Sequence, residues 1–474
     1  IYNNAYMNWT KKQTSTLTVV AITSFMGTFL ISSINIALPS IEKTFGLNAI
    51  MLSWVVTSFL LATAMFLLPA GRWSDISGVV RLYKAGLIIF TLSSLLCGIA
   101  PSGGWLIAAR YLQGIGAAFT NTTGQAILVG SFPPQNRGSV LGISVSSVYL
   151  GLSFGPFVGG LLTQQIGWRS IFMAAALIGL VSTVVSFLYL GKDEQTGQTK
   201  QKMGLKGVIF FMLGLVCMVY GSSLIPATSG WLIMAAGLAA LILFWKIESK
   251  SKMPVFDTGL FTKNRMFAFS NLAALINYGS TSAIVFFLSL YLQKIQHLTP
   301  QQAGLILIAQ PIMMTLFSPL VGRLSDRHQP RYFATSGMAM CSVGLASMSF
   351  LNEVTPHWVI ISILIWIGTG FALFSSPNMN LIMSSVNRTQ YGLASGTAAS
   401  MRVIGQITSM TIVTLLFAGL FSGKSIEKVS DSLFLTAMKW GFITFSLTSL
   451  VGIYFSYVRG NVKRKTPLPA DSQE

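Results

Sequence analysis

Long apolar runs separated by short polar segments organise this chain. We count fourteen runs of about 20 residues, the length that crosses the hydrocarbon core of a bilayer as a helix. They lie at residues 14–39, 51–70, 83–101, 105–130, 138–163, 170–191, 205–225, 231–246, 268–292, 301–323, 333–351, 357–380, 393–421 and 434–457. Because backbone groups inside lipid must be satisfied within their own segment, this pattern predicts an all-α integral membrane protein with 14 transmembrane helices.

A polar loop that follows the second run recurs in altered form after the tenth run. The first copy, Gly71 to Arg81, reads GRWSDISGVVR, and the second, Gly322 to Tyr332, reads GRLSDRHQPRY. Because the copies occupy matching places in the series, the chain is predicted to contain two related halves. The expected domains are an N-terminal six-helix bundle at 1–191, linkers with inserted helices 7 and 8 at 192–265, a C-terminal six-helix bundle at 266–458 and a cytoplasmic tail at 459–474.

The composition supports a membrane protein, since 52% of the residues are hydrophobic and only 9% are charged. The formal net charge of +19 invites a nucleic-acid interpretation, but the basic residues sort by side of the membrane. With both termini in the cytoplasm, the tails and alternate loops hold 23 of the 31 lysines and arginines, as the positive-inside rule requires for an even number of spans. We therefore predict a multi-pass protein of a bacterial-type cytoplasmic (plasma) membrane that binds no nucleic acid.

Nothing in the chain resembles a nucleotide-binding or metal-binding motif. The three cysteines, Cys97, Cys217 and Cys341, fall within apolar runs at spacings typical of neither metal sites nor disulfides. No glycine-rich phosphate loop is present, so ATP-driven transport by this chain is not expected. The sequence predicts a protein that is not an enzyme, uses no cofactor and works as a monomer.

The repeated loop resembles the G-x-L-x-D-R-x-G-R-R signature of the major facilitator superfamily. Together with elements in other runs it is similar to the fourteen-span drug/proton antiporter family, over nearly the whole chain. The first copy departs from the signature, with Ile76 in place of the arginine and Val79 and Val80 in place of the basic pair. The resemblance implies a gate on the cytoplasmic side, and a solvated turn that adds cytoplasmic positive charge is the alternative. The gating residues would be Gly71, Asp75, Gly78, Arg81, Gly322, Asp326 and Arg327.

The fifth run carries GLSFGPFVGG, which matches the G-x-x-x-G-P-x-x-G-G signature associated with exporters of this superfamily. Small residues at four-residue spacing let helices approach closely, and the proline permits a bend. The resemblance implies a tight seam between halves that rock during export, whereas a purely packing role stays open. The seam residues are Gly151, Gly155, Pro156, Gly159 and Gly160.

Two arginines lie inside apolar runs. Arg110 begins RYLQG, similar to the family's R-x-x-Q-G element, in which the arginine is tied to proton coupling; alternatively, it reaches back to the outer interface near Trp105. Arg402 lies roughly ten residues inside the thirteenth run, about 15 Å deep at helical rise. A charge there costs on the order of 2.5 to 3.5 kcal/mol, so Arg402 should face a wet cavity and contact substrate, or else bond carbonyls of a neighbouring helix.

Embedded acids are missing from the predicted spans. The first run ends in an element resembling D-x-T-x-x-N-x-A-L-P, but Leu30 stands where the aspartate belongs, and all twelve acidic residues are expected in loops or tails. A cationic substrate is therefore disfavoured, and neutral or anionic, partly apolar molecules are favoured. Each polar residue of the central runs could simply bond a neighbouring helix, but together they are predicted to line a pathway. The cavity residues would be Arg402, Asn35, Gln113, Asn121, Asn277, Tyr278, Gln310, Asn378 and Gln406.

The resemblance implies a secondary active transporter that exports small amphipathic compounds by alternating access, driven by a proton gradient. Its partners would be a small-molecule substrate and the lipid bilayer. The missing aspartate leaves open an uncoupled or differently coupled carrier of an organic anion or amphipathic lipid. A receptor or scaffold that keeps the fold without turnover is a further alternative.

Overall fold

The computed structural model describes residues 9–133, 137–191, 204–251, 254–256, 258–386, 391–421 and 423–461. Within these ranges the regular secondary structure is helical, without a strand. The first six helices are α1 (Lys11–Phe45), α2 (Ala49–Ser77), α3 (Val79–Gly98), α4 (Gly103–Ser131), α5 (Arg137–Gln165) and α6 (Arg169–Tyr189). Two more, α7 (Leu205–Ser223) and α8 (Thr228–Lys250), form the inserted pair.

The remaining nine helices include two pairs separated by short breaks within predicted runs. They are α9 (Thr258–Lys263), α10 (Arg265–Thr281), α11 (Ile284–Lys294), α12 (Pro300–Leu307), α13 (Ala309–Arg327), α14 (Pro330–Met348), α15 (His357–Ser384), α16 (Tyr391–Phe421) and α17 (Asp431–Val458). Polar side chains cap the N-termini of several helices. Thr10 and Thr299 form capping boxes, and the Asn48 and Ser102 side chains accept hydrogen bonds from backbone N–H groups.

Twelve segments of the described chain are long and apolar enough to cross a membrane. The pair α10 and α11 counts as one of them, as does the pair α12 and α13. Helices α4 and α14 are absent from this set although they are 29 and 19 residues long, because polar side chains such as Arg110 and Asn121 in α4 and Arg331 in α14 lower their hydropathy. The prediction of fourteen spans is therefore not confirmed.

The same helix pairings occur in the two halves. In the first half α1 packs on α5, α2 on α4, and α3 on α4 and α6. In the second half α10 packs on α16, α13 on α15, and α14 on α15 and α17. Helices α7 and α8 pack on each other, and α7 also contacts α2 and α16. The inserted pair thus touches a helix of each half.

Candidate functional site

The two gating loops are helical over most of their length. Helix α2 continues through Gly71 to Ser77 and ends at Gly78, whose φ of 98° is a conformation that favours glycine. In the second copy α13 runs through Gly322 to Arg327, and α14 begins at Pro330. The Asp75, Asp326 and Arg327 side chains lie outside the described part, and Arg81 is exposed. The gating role of these residues stays a prediction.

The glycine seam of α5 faces two different partners. A Cβ built on Gly155 or Gly159 would lie 2.5 or 2.6 Å from a Cβ of Ser32 or Ser33 in α1, and Gly151 also faces α1. A Cβ on Gly160 would instead lie 2.5 Å from the Pro300 carbonyl oxygen in α12 of the other half. The Pro156 backbone packs against Gly304 of α12. Three of the five seam residues therefore face α1 in the first half, whereas Pro156 and Gly160 contact the second half.

Arg110 lies inside the first half and is completely buried. Its Nε donates to the Val55 carbonyl at 3.1 Å, and its Nη1 donates to Gln113 Oε1 at 2.5 Å. The guanidinium lies 4.3 Å from the centre of the Phe59 ring, a cation–π geometry. Gln113 is equally buried and donates to the Ser94 hydroxyl at 2.7 Å. In this conformation Arg110 does not reach the outer interface, and Gln113 does not line an open space.

Arg402 has a different environment, because it is only half-buried. The Tyr278 hydroxyl of α10 interacts with the Arg402 guanidinium and with the Ser375 hydroxyl of α15. Across the halves, the Tyr149 hydroxyl of α5 lies 3.2 Å from the Ser375 hydroxyl. The Tyr278 ring packs edge-on against Phe371, with 5.3 Å between ring centres. A half-buried guanidinium beside a tyrosine hydroxyl can bind an anionic or strongly polarised neutral group.

The other predicted cavity residues differ in how much of their surface is exposed. Asn121 is exposed, and Gln406 is half-buried one helical turn from Arg402. The rest are buried in this conformation: Asn35, Asn277, Gln310 and Asn378. Both side-chain polar atoms of Asn277 lack a protein partner, whereas Asn378 is held by hydrogen bonds. Asn121, Tyr278, Arg402 and Gln406 are thus the predicted cavity residues with accessible surface.

The structure also buries an arginine that was expected in the cytoplasmic tail. Arg459 follows α17 and is only 1% exposed. It donates from Nη1 to Asn378 Oδ1 and from Nη2 to the Ser456 hydroxyl at 2.9 Å. Ser270 Oγ lies 3.4 Å from Nη1. Hydrogen-bond partners on α10, α15 and α17 therefore hold Arg459 against the bundle, directly beyond the end of α17; the bounds of the tail stay a prediction.

The expectation that all acidic residues lie in loops or tails is wrong. Glu42 is in the last turn of α1 and is 5% exposed, and Glu248 is near the end of α8 and is 2% exposed. Glu248 Oε2 accepts the Val255 N–H at 2.6 Å and the Phe256 N–H at 3.2 Å, so it holds the linker beyond α8. Backbone N–H groups just beyond the helix compensate for burial of the Glu248 carboxylate, and hydropathy alone does not reveal them.

The halves are joined most extensively at the end of the bundle where α1 finishes and α2 begins. The Ser289 hydroxyl donates to the Asn35 carbonyl at 2.6 Å, and the Ser53 and Thr414 hydroxyls lie 3.0 Å apart. These and further hydrogen bonds form what we call the closed junction: Asn35, Ile36, Glu42, Ala49 and Ser53 of the first half, with Ser289, Gln293, Thr414, Lys424 and Glu427 of the second. Opening this end would require breaking these cross-half contacts.

The chain is similar to a known protein family and to a transporter of known structure. A family model described as Major Facilitator Superfamily matches residues 20–410 and 271–473. A bacterial homologue of the human lysosomal transporter Spinster, solved in an inward-facing and unoccupied conformation, has the same fold, with a TM-score of 0.67 and 14% identity. That likeness covers 95% of this chain and 98% of the Spinster homologue.

Similar proteins of established name are bacterial transporters and resistance proteins. The riboflavin transporter RibZ of Clostridioides difficile is 30% identical, over 87% of this chain and 89% of its own. The multidrug resistance protein Stp of Mycobacterium tuberculosis is 28% identical, over 86% and 77%. The cephamycin export protein CmcT of Amycolatopsis lactamdurans is 29% identical, over 89% and 88%.

Proposed function

The chain belongs to the Major Facilitator Superfamily, and from this premise we propose that it exports small amphipathic compounds by proton-driven antiport with alternating access. Relatives named for multidrug resistance and antibiotic export support the class of substrate and the direction. The substrate site is the region around Arg402, between the two halves. No nucleic acid or cofactor takes part, and the protein acts as a monomer.

The proposed topology has fourteen spans and both termini in the cytoplasm. Helix α4 packs between α2 and α3, and α14 packs against α15 and α17, so each lies alongside segments that qualify as spans. Their polar side chains can be accommodated because neighbouring helices cover them, as α2 covers Arg110. In this topology the closed junction faces the outside, and the transporter is open to the cytoplasm.

The proposed substrate class rests on the environment of Arg402. It is half-buried, its partner in the described chain is the neutral Tyr278 hydroxyl, and no described carboxylate forms an ion pair with it. An uncompensated positive charge repels a lipophilic cation and attracts an anion or a polarised neutral group. Neutral or anionic aromatic amphiphiles are therefore the favoured substrates.

Ligand-induced thermal stabilisation of the purified protein tests this class. The panel contains anionic, neutral and cationic amphiphiles, with riboflavin among the neutral ones because a relative is named for its transport. We expect anionic or neutral compounds to raise the melting temperature of the parent protein and to lose this effect in Arg402→Ala. The control, Arg402→Lys, keeps the charge and should retain part of the effect. Stabilisation by cations alone, equal in all three proteins, would refute the assignment.

A second candidate is an uncoupled or differently coupled carrier of an organic anion or amphipathic lipid. The fully buried Leu30, at the place where the resembling family has an aspartate, favours it because leucine cannot carry a proton. Proteoliposomes containing a pH indicator distinguish the two mechanisms. Antiport predicts a substrate-driven pH change, whereas transport of the same substrate without a pH change at several pH values supports the uncoupled carrier.

A further inference from the structure

Glu42 connects the two halves through its side chain. It lies beyond the predicted apolar run, in the last turn of α1, and is 5% exposed. Its Oε1 accepts the Glu427 backbone N–H at 3.0 Å, and the Ile426 backbone N–H lies nearby. Residues 426 and 427 belong to the segment between α16 and α17. A carboxylate of the first half therefore holds the backbone of the second half.

The charged groups around Glu42 leave it without a dedicated cation. Lys294 of α11 is near, but its ammonium lies 3.0 Å from the Asp431 carboxylate of α17. The Glu427 side chain is exposed, and its negative charge opposes ionisation of Glu42. The remaining neighbouring cations on α1 and on the 423–430 segment are exposed to solvent: Lys43, Lys424 and Lys428.

Two opposing effects decide the charge that Glu42 prefers when the closed junction is formed. The Glu427 backbone N–H favours the carboxylate, whereas burial without a paired cation favours the neutral acid. One backbone bond replaces only part of the hydration that the ionised side chain loses at 5% exposure. A neutral acid also keeps a carbonyl oxygen that accepts the Glu427 N–H while its other oxygen carries the proton. The closed junction therefore binds the protonated side chain more favourably than the ionised one.

We propose that Glu42 is a proton-binding site of this transporter, loaded from the outside when the closed junction opens. A proton from external water adds to one oxygen of the solvated carboxylate, and the neutral acid then enters the closed junction. External protons would thereby favour return to the cytoplasm-open conformation. The inference rests on the alternating access of the proposed function, and it supplies a titratable group for a chain whose first span lacks the family aspartate.

Accessibility of the closed junction from outside tests the proton site. Ser53, which is completely buried there, is changed to cysteine in a chain whose Cys97, Cys217 and Cys341 are replaced by alanine. A membrane-impermeant maleimide labels intact cells, and each rate is divided by that of the unfolded protein at the same pH, because thiolate formation itself depends on pH. We expect relative labelling to fall as the external pH is lowered from about 8 to about 5, by about tenfold for each pH unit that separates the proton affinities of Glu42 in the closed and open junctions.

Variants of Glu42 and Glu427 show which side chain causes the pH dependence of labelling. Glu42→Gln resembles the neutral acid and should give low, pH-independent labelling, and Glu42→Ala, which serves if the first variant does not accumulate, should also give a flat profile. The matched control is Glu427→Gln, because Glu427 donates its backbone N–H while its side chain is exposed; this variant should keep a pH dependence, displaced to lower pH because the charge that opposes ionisation of Glu42 is removed.

The possible failures are distinguishable. A flat profile in the parent, or a slope that persists in Glu42→Gln and Glu42→Ala, overturns the proton site while labelling itself still shows that the junction opens. If the cysteine at position 53 is labelled at no pH, the junction does not open, and alternating access fails together with this inference.

Discussion

Two arginines inside apolar runs look alike in the sequence but occupy opposite environments. Arg110 is fully buried, with hydrogen bonds to Val55 and Gln113 and a face against Phe59. Arg402 is half-buried and interacts with Tyr278. A charge surrounded by fixed partners stabilises one arrangement of helices, whereas a charge with accessible surface can exchange partners. The comparison teaches that depth in an apolar run does not by itself identify a substrate site.

The largest expected effect comes from removing Arg110. Arg110→Ala leaves a cavity and deprives the Gln113 amide oxygen and the Val55 carbonyl of their donor, so we expect the free energy of unfolding to fall by about 3 kcal/mol. Arg402→Ala, the matched variant, should lower it by less than about 1 kcal/mol because accessible polar groups can rebond to water. Unfolding by denaturant in detergent micelles measures both. Equal losses of unfolding free energy in the two variants would show that the environments of Arg110 and Arg402 do not differ in their effect on stability.

A smaller effect is expected from the hydroxyl that contacts Arg402. Tyr278→Phe keeps the ring beside Phe371 but removes the hydroxyl that interacts with the Arg402 guanidinium. Loss of one hydrogen bond of about 1 kcal/mol corresponds to about a fivefold increase in the Kd of an anionic ligand. Calorimetry measures this Kd. Tyr149→Phe is the control, because the Tyr149 hydroxyl bonds Ser375 and not Arg402. The Kd of the same ligand for this variant should stay within about twofold of the parent value. If Tyr149→Phe weakens binding more than Tyr278→Phe, the site is centred on the cross-half bond instead.

The smallest expected effect is a difference in stability between glycine variants in the two copies of the repeated motif. A Cβ on Gly71 would meet only Thr122 Cγ2, at 3.8 Å, whereas a Cβ on Gly322 would lie 2.9 Å from Ser376 Oγ. Gly71→Ala should therefore stabilise α2 by about 0.5 kcal/mol through helix propensity, and Gly322→Ala should gain nothing because Ser376 must move. Thermal unfolding of both variants measures the difference. A stabilising Gly322→Ala would show that Ser376 yields freely.

Several features of the fold could be predicted because they depend on neighbours in the sequence. Apolar runs of sufficient length predicted the helices, and the repeated loop predicted the correspondence of α1 with α10. Gly78 was expected in the first copy of the repeated loop, and it is the single non-helical residue between α2 and α3. Arg402 was predicted either to face a wet cavity or to bond a neighbouring helix; its side chain is half-buried, and its role in substrate binding stays a prediction.

What the sequence by itself determined is the helical membrane architecture and the family, because hydropathy, spacing and short motifs are local properties. Only the tertiary structure decided the environments of the charged groups. Arg459 bonds Ser270 and Asn378, and Glu42 accepts the Glu427 backbone N–H, from distant parts of the chain. A polar side chain of this kind is stable when buried only where the folded chain supplies its hydrogen-bond partners. Those partners come together through packing, so the sequence around each charged residue does not contain them.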